Sequence, residues 1–175
     1  MTLAKTLIQI GISNIQLDKM NNEKVLLIAD FQDEYEYKKT VREEITINID
    51  EIISLGRFNR ELKGVSWLGL GELTHKNLAR KNPPHGHPQY FKKEKFDYYL
   101  NKLINHSNTD SQKFVDAFIK ENVYTLDWSQ VYANYYENLG YIISGEGNHR
   151  TLLMKLIGAK QVKIKELNYY ARINS

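Results

Sequence analysis

The residues best suited to chemistry form one short segment, residues 144–151, which reads Ser-Gly-Glu-Gly-Asn-His-Arg-Thr. Its glycines, Gly145 and Gly147, can adopt positive φ and allow a ligand close to the backbone because they lack a Cβ atom. A strand is predicted before them and a helix after them, and the first amides of a helix have no partner within the helix. These amides and the positive end of the helix dipole favour an anion, so the segment predicts a phosphate-binding turn.

Side chains of this turn add to its possible chemistry. Arg150 can bind a phosphate through two parallel hydrogen bonds, and His149 offers a further donor. Glu146 is the acid of the turn; it could accept a proton, hold Mg²⁺ against a phosphate, or pair with Arg150. The spacing of the glycines fits neither the Walker A pattern nor the Rossmann pattern. A tight turn with a surface His-Arg pair is therefore the alternative that the segment alone leaves open.

The elements next to the turn are predicted from hydrophobic periodicity. A hairpin with strands over 131–136 and 141–144 leads into it. A short helix over 151–157 leaves it, and Gly158 can end that helix in the left-handed conformation. An alternating strand over 162–167 follows. The turn is thus predicted to connect a strand directly to a helix.

The remainder of the chain gives weaker signals. Residues 1–70 are predicted to be β-rich, and residues 56–90 to be an irregular segment that Trp67 anchors. The other predicted elements are strands over 6–12, 25–31 and 44–49, and helices over 50–55, over 91–105 and from 110 or 111 onward. This pattern indicates an α+β protein.

Histidines and tyrosines supply two further candidate features. His85 and His87 have the short spacing of a metal pair, and His75 lies upstream, but a flexible loop with surface histidines is favoured. The tyrosines are crowded into the second half of the chain, interleaved with lysines. Such a pattern can stack nucleic-acid bases, although tyrosines on a hairpin and on helix faces more often pack half-buried.

The segment from 131 to 170 resembles the ParB/sulfiredoxin-like superfamily. The similarity is carried by Tyr-Ile-Ile-Ser-Gly-Glu-Gly-Asn-His-Arg over 141–150, by the leucine-glycine end of the next helix, and by Val-Lys-Ile over 162–164. A weaker similarity reaches back to Asn82 and Pro83. The resemblance implies a ParB/sulfiredoxin-like domain over 71–175 behind a β-rich N-terminal extension over 1–70.

The resemblance also implies roles for the residues of the turn. It implies a phosphate site for ATP, or another nucleoside triphosphate, with Mg²⁺. The implied phosphate-binding residues are Gly145, Gly147, Asn148, His149, Arg150 and Thr151, the last through its hydroxyl. Glu146, His149 and Arg150 are the implied catalytic residues, and Glu146 would also hold Mg²⁺. His85 and His87 would lie next to the phosphate-binding residues without contacting the phosphates themselves. Sulfiredoxins carry a catalytic cysteine where this chain has Asn148, so their sulfur chemistry is not expected here.

Composition limits the kind of protein. The chain has 175 residues, no cysteine and a formal net charge of +3. It therefore lacks disulfides and thiol nucleophiles, and no stretch approaches the roughly 20 apolar residues of a membrane span. A cytoplasmic protein is expected. Basic segments, +5 over 74–120 and +4 over 151–175, flank an acidic one of −3 over 121–150, a distribution that suits a polyanion but is also typical of solvated surfaces.

These observations lead to three hypotheses. The first is a nucleotide-binding ParB-like protein that acts in a DNA transaction as a phosphohydrolase or nuclease. The second is a small-molecule kinase of the same fold, in which Glu146 or an acid of the loop activates the hydroxyl of an acceptor. The third is a non-enzymatic module that binds DNA or a protein. No membrane partner is expected.

Overall fold

The computed structural model describes residues 2–79, 91–105 and 131–173. Helices and strands are mixed within these ranges, which confirms the α+β prediction. The helices are α1 (Leu3–Gln9), α2 (Asn14–Asn22), α3 (Trp67–His75), α4 (Lys93–Asn105) and α5 (Asn148–Leu156). The strands are β1 (Tyr35–Val41), β2 (Ile45–Asn48), β3 (Ile52–Leu55), β4 (Val131–Tyr136), β5 (Gly140–Gly145), β6 (Gln161–Ile164) and β7 (Glu166–Arg172).

The main sheet joins both ends of the sequence. Its strand order is β1-β7-β4-β5-β3, and β2 and β6 form a separate antiparallel pair. The neighbours β3 and β5 run parallel, as do β4 and β7, whereas β1 is antiparallel to β7 and β4 to β5. Every strand of residues 1–70 pairs with a strand of 131–173, so these two segments share their sheets.

Helix α5 lies at the centre of the described core. All nine of its residues are buried, the pattern expected of a helix that is surrounded on every side. It contacts α2, α3, α4 and β5. The contact with α3 is close, because a Cβ atom added to Gly71 would lie 2.7 Å from Cδ1 of Leu156. The turn that precedes α5 is therefore attached to a helix that is buried along its whole length.

The β-rich prediction for the N-terminus is wrong in its details. Residues 6–12 were expected to form a strand, but α1 begins at Leu3, and Leu3 and Leu7 bury one helical face at i, i+4 spacing. Thr2 caps this helix through its side chain. The predicted strand over 25–31 is an extended segment followed by a 3₁₀ turn at Ile28–Asp30.

Two further elements differ from the prediction. The helix expected over 50–55 is a 3₁₀ turn, Ile49–Glu51, followed by strand β3. The segment 56–90 is not wholly irregular, because it contains α3, whose N-cap Ser66 accepts a hydrogen bond from the Gly69 amide. Trp67 is fully buried, as an anchoring residue should be, but it is the first residue of this helix and does not lie in a loop.

The predictions near the turn are largely confirmed. The hairpin consists of β4 and β5 in register, and α4 buries Phe96, Leu100 and Leu103 as expected. Gly158 has φ +78° after the helix. Helix α5 begins at Asn148, three residues before the predicted start, and the strand predicted over 162–167 is divided between β6 and β7. The helix expected from 110 or 111 lies outside the described residues.

Candidate functional site

The turn between β5 and α5 has the backbone geometry that its glycines predicted. Gly145 has φ +70° and Gly147 has φ +95°, both in the left-handed region that favours glycine. A Cβ atom on Gly147 would also approach Cγ2 of Val131 to 3.0 Å. Gly147 is the N-cap of α5 and supplies no side-chain hydrogen bond, and the first turn of the helix has no acidic residue. The strand therefore leads directly into a helix whose first amides receive no side-chain cap.

The side chain of Asn148 fixes this turn. It is buried, its Nδ2 donates to the Gly145 carbonyl oxygen at 2.8 Å, and its Oδ1 accepts from the Arg57 amide at 3.3 Å. The turn is thereby tied to the segment that follows β3. Because both ends of the amide are engaged, the phosphate contact predicted for Asn148 is left to its backbone N–H.

His149 is a neutral, buried residue. Its Nε2 accepts a hydrogen bond from the Lys92 amide at 2.8 Å, and its ring packs edge-on against Phe91. Burial, and after it the positive charges of Arg57, Lys95 and Lys92, together lower the pKa of His149 from 6.5 to about 3. Since Nε2 accepts, the ring proton is on Nδ1. His149 therefore brings no positive charge to the turn at neutral pH.

Arg150 and Thr151 differ in what they offer a ligand. The Arg150 guanidinium carbon lies 5.7 Å from the centre of the Tyr99 ring, and the residue lines a cleft beside the turn. Thr151 is fully buried, and its hydroxyl has no hydrogen-bond partner within the described ranges. Thr151 does not line the cleft, so the hydroxyl predicted to contact phosphate lies in the core.

The cleft beside the turn, which we call the turn cleft, has a volume of about 400 Å³ and is open to solvent. Helix α4 forms its opposite wall. Residues that line it include Lys95, Tyr98, Tyr99, Glu146, His149 and Arg150. Lys95 is exposed and has no ion pair with any described carboxylate. Glu146 is exposed as well, and within the described part of the chain it forms no ion pair with Arg150.

A second cleft, which we call the strand cleft, lies on the other side of Glu146. Its volume is about 380 Å³, and Glu146 lines both clefts. Tyr132 and Ser144, which pair across β4 and β5, form part of its wall together with Arg57. The Arg57 guanidinium has no carboxylate partner among the described residues. The turn is thus flanked by a lysine on one side and an arginine on the other, and neither forms an ion pair with a carboxylate of residues 2–79, 91–105 or 131–173.

Sequence reasoning missed Arg57 and Lys95 as members of the site. Arg57 comes two residues after β3, and the carboxyl ends of the parallel strands β3 and β5 meet at one edge of the sheet. The signal was present, but β3 was interpreted as a helix. Lys95 lies on a helix that was predicted, and only the packing of α4 against α5 brings it to the turn.

The predicted histidine pair cannot be assigned to this site. His85 and His87 lie outside the described residues, as does the segment around Asn82 and Pro83. His75 is described: its Nδ1 lies 2.7 Å from Oδ1 of Asp97, which links α3 to α4. In the described ranges, no three histidine, aspartate or glutamate residues are arranged to hold a metal ion.

Within the same ranges no helix has the length and apolar character needed to cross a bilayer. The resemblance noted over residues 131–170 stays a prediction, because it is not supported by comparison with known proteins. No protein-family model, curated protein or solved structure matches this chain.

Proposed function

We propose that the chain binds a nucleotide through its phosphates in the turn cleft. One observation carries the proposal: the uncapped start of α5 adjoins a cleft that Arg150 and Lys95 also line. Amides at a helix N-terminus and cationic side chains that converge on one space are the donors that phosphate oxygens require.

The electrostatics of the turn support an anionic ligand. The charges of Arg57, Lys95 and Lys92 all act on His149, and they oppose its protonation. Two of these cations, Arg57 and Lys95, have no carboxylate partner within the described ranges. A phosphate in the turn cleft would be attracted by these positive charges, and the attraction would be strongest at low ionic strength.

Glu146 suits the role of the acid in this site. Proteins usually hold Mg²⁺ with one or two carboxylates together with the phosphates of the substrate, and keep several waters on the ion. Two exposed carboxylates line the cleft, Glu94 on α4 and Glu146 in the turn, and Glu146 is the one that adjoins the first turn of α5. The bound ion would neutralise charge on the phosphates. In the proposed phosphohydrolase or nuclease reaction, the water oxygen forms a bond to phosphorus, the bond from phosphorus to the leaving oxygen breaks, and Glu146 accepts the proton of the water. Arg150 and the helix amides orient the phosphate.

Calorimetry with ATP, CTP and GTP in the presence of Mg²⁺ tests the proposal. We expect Lys95→Ala and Arg150→Lys each to weaken binding about 10-fold or more, the usual effect of losing a charge-assisted hydrogen bond. Lys5→Ala, which removes an exposed lysine of α1, is the matched control and should bind as the wild type does. If none of the three nucleotides binds, or if both site variants keep wild-type affinity, the proposal fails.

The strand cleft favours a second candidate, the small-molecule kinase. Because Glu146 lines both clefts, an acceptor in the strand cleft would approach a nucleotide in the turn cleft across this carboxylate. The transfer would break the bond between the terminal phosphorus and its bridging oxygen and form a bond from the acceptor oxygen to that phosphorus, with the hydroxyl proton passing to Glu146. Nucleoside diphosphate should then form only when an acceptor is supplied, and Arg57→Ala should lower this turnover but not nucleotide affinity.

DNA is proposed as a further partner on the charge distribution alone. Two lysines near the end of β6 could extend a positive surface toward the turn. Lys163 forms an ion pair with Glu44, whereas Lys165, between β6 and β7, is exposed. Binding to a short duplex should weaken steeply with added salt if phosphates are contacted. Binding that persists in a Glu146→Ala, Arg150→Ala double variant would favour the non-enzymatic module.

A further inference from the structure

The wall of the turn cleft that α4 forms includes an aromatic residue, Tyr98, that does not pack into the core. The apolar face of α4 packs inward through Phe96, Leu100 and Leu103, which are buried. Tyr98 is on another face, and 53% of its surface is exposed. It nevertheless lines the cleft, where its ring lies 5.2 Å from that of Tyr99 in an edge-to-face arrangement. An aromatic ring presented at a cleft beside a cationic turn is a surface on which a planar group can stack.

The two tyrosines have different surroundings. The ring of Tyr99 is already in contact with the Arg150 guanidinium, at 5.7 Å. The ring of Tyr98 has the Lys102 ammonium 4.8 Å from its centre and still keeps about half its surface open. Tyr98 is therefore the aromatic residue of this wall with area to offer a ligand.

Helix α4 carries one residue suited to a phosphate, Lys95, and one suited to a base, Tyr98. Lys95 and Tyr98 are three residues apart, so their side chains are neighbours on the helix surface. A ligand whose phosphates meet Lys95, Arg150 and the amides of α5 can thus place its base against Tyr98. The volume of the cleft, about 400 Å³, lies within the usual range for small-ligand pockets.

We infer that Tyr98 is the base-stacking residue of the turn cleft, so that the cleft takes a nucleoside phosphate rather than an inorganic phosphate or polyphosphate. This inference rests on the proposed function, because it assumes that the phosphates bind at the turn. Stacking uses the face of the ring and needs no hydroxyl group, since every base offers a π-surface.

Calorimetry with two probes, ATP and inorganic tripolyphosphate, each with Mg²⁺, separates stacking from phosphate binding. We expect Tyr98→Ala to weaken ATP binding about 5-fold to 150-fold, the range measured for lost base stacking, and to leave tripolyphosphate binding unchanged. Tyr98→Phe should bind both probes as the wild type does. Tyr37→Ala is the matched control, since Tyr37 is a tyrosine of β1 with 54% of its surface exposed.

The possible outcomes distinguish this inference from the proposed function. If tripolyphosphate binds the wild type as tightly as ATP does, or if Tyr98→Ala affects both probes equally, the phosphate site stands and the stacking role is refuted. If neither probe binds the wild type, the proposed function itself fails. Circular dichroism of each variant checks that α4 is intact, and alanine at an exposed helix position favours the helix.

Discussion

Acid should destabilise the protein through His149. The pKa of this residue is lowered from 6.5 to about 3 by burial and by the neighbouring positive charges. When the pH falls below 6.5, the unfolded chain takes up a proton on this histidine and the folded protein does not. The stability that depends on neutral His149 is complete above pH 6.5 and is lost progressively as the pH falls from 6.5 toward 3.

The size of the effect follows from the interval between the two pKa values. Each pH unit within it is worth about 1.4 kcal/mol. At pH 5, which lies 1.5 units below the unfolded pKa of 6.5, the free energy of unfolding should be about 2 kcal/mol lower than at pH 7.5 through this group alone. That is a large part of the stability of an ordinary domain.

Urea unfolding of the wild type and of His149→Gln at pH 7.5, 6 and 5 measures this contribution. Glutamine keeps an acceptor for the Lys92 amide but does not titrate, and fluorescence of the fully buried Trp67 reports unfolding. Carboxylates titrate in both proteins and cancel in the comparison. Between pH 7.5 and 5, the free energy of unfolding of the variant should fall by about 2 kcal/mol less than that of the wild type. His75→Gln, at a less buried histidine that contacts Asp97, serves as the control.

Equal losses in the wild type and in His149→Gln would refute the reasoning, because they would mean that His149 titrates alike in both states. The comparison uses the pH dependence and not the absolute stability of the variant, so a general weakening by glutamine does not affect it.

Three further predictions concern the turn and its helix. Gly64→Ala should lower the unfolding free energy by about 1–2 kcal/mol through its positive φ alone, since among the described residues only its chain neighbours come within 4 Å of the added Cβ. Gly147→Ala should lower it by at least about 1 kcal/mol more, because its Cβ would approach Val131; urea unfolding of the two variants measures the difference. Asn148→Ala should lower the unfolding free energy by about 1–3 kcal/mol and weaken any ligand of the turn, since two backbone groups lose their partner; wild-type stability of this variant would contradict that role. Burial lowers the pKa of Lys155 from 10.5, so the stability of the wild type should rise with pH between the lowered value and 10.5, and Lys155→Met should abolish this rise; a rise retained in the variant would exclude Lys155 as its source.

Local patterns predicted those parts of the fold in which neighbours in sequence are neighbours in space. The hairpin of β4 and β5 and the amphipathic helix α4 belong to this group. Short apolar runs were ambiguous: α1 has seven residues, and the Leu-Ile-Gln sequence at its end can be interpreted as a strand as easily as a helix. Helix α3 was missed because Gly69 and Gly71 suggested a loop, whereas they permit close packing.

The same distinction holds for the candidate site. The backbone of the turn followed from Gly145 and Gly147, since positive φ is a property of the residues themselves. The environment of His149 could not be predicted in this way, because its neutral state depends on burial and on cations from two distant segments. The position of Arg57 could not be predicted from local sequence either, because the parallel pairing of β3 with β5 brings this residue to the site.

The enclosure of α5 has a practical consequence. The helix that begins at the turn is also the central helix of the described core, so a ligand held at its first turn contacts an element that forms only when the core does. By mass action, such a ligand at 100 times its dissociation constant adds about 2.7 kcal/mol to the stability of the folded state. The melting temperature can therefore serve as a direct readout of occupancy, and a thermal-shift screen of metabolites can identify what the cleft binds before any reaction is known.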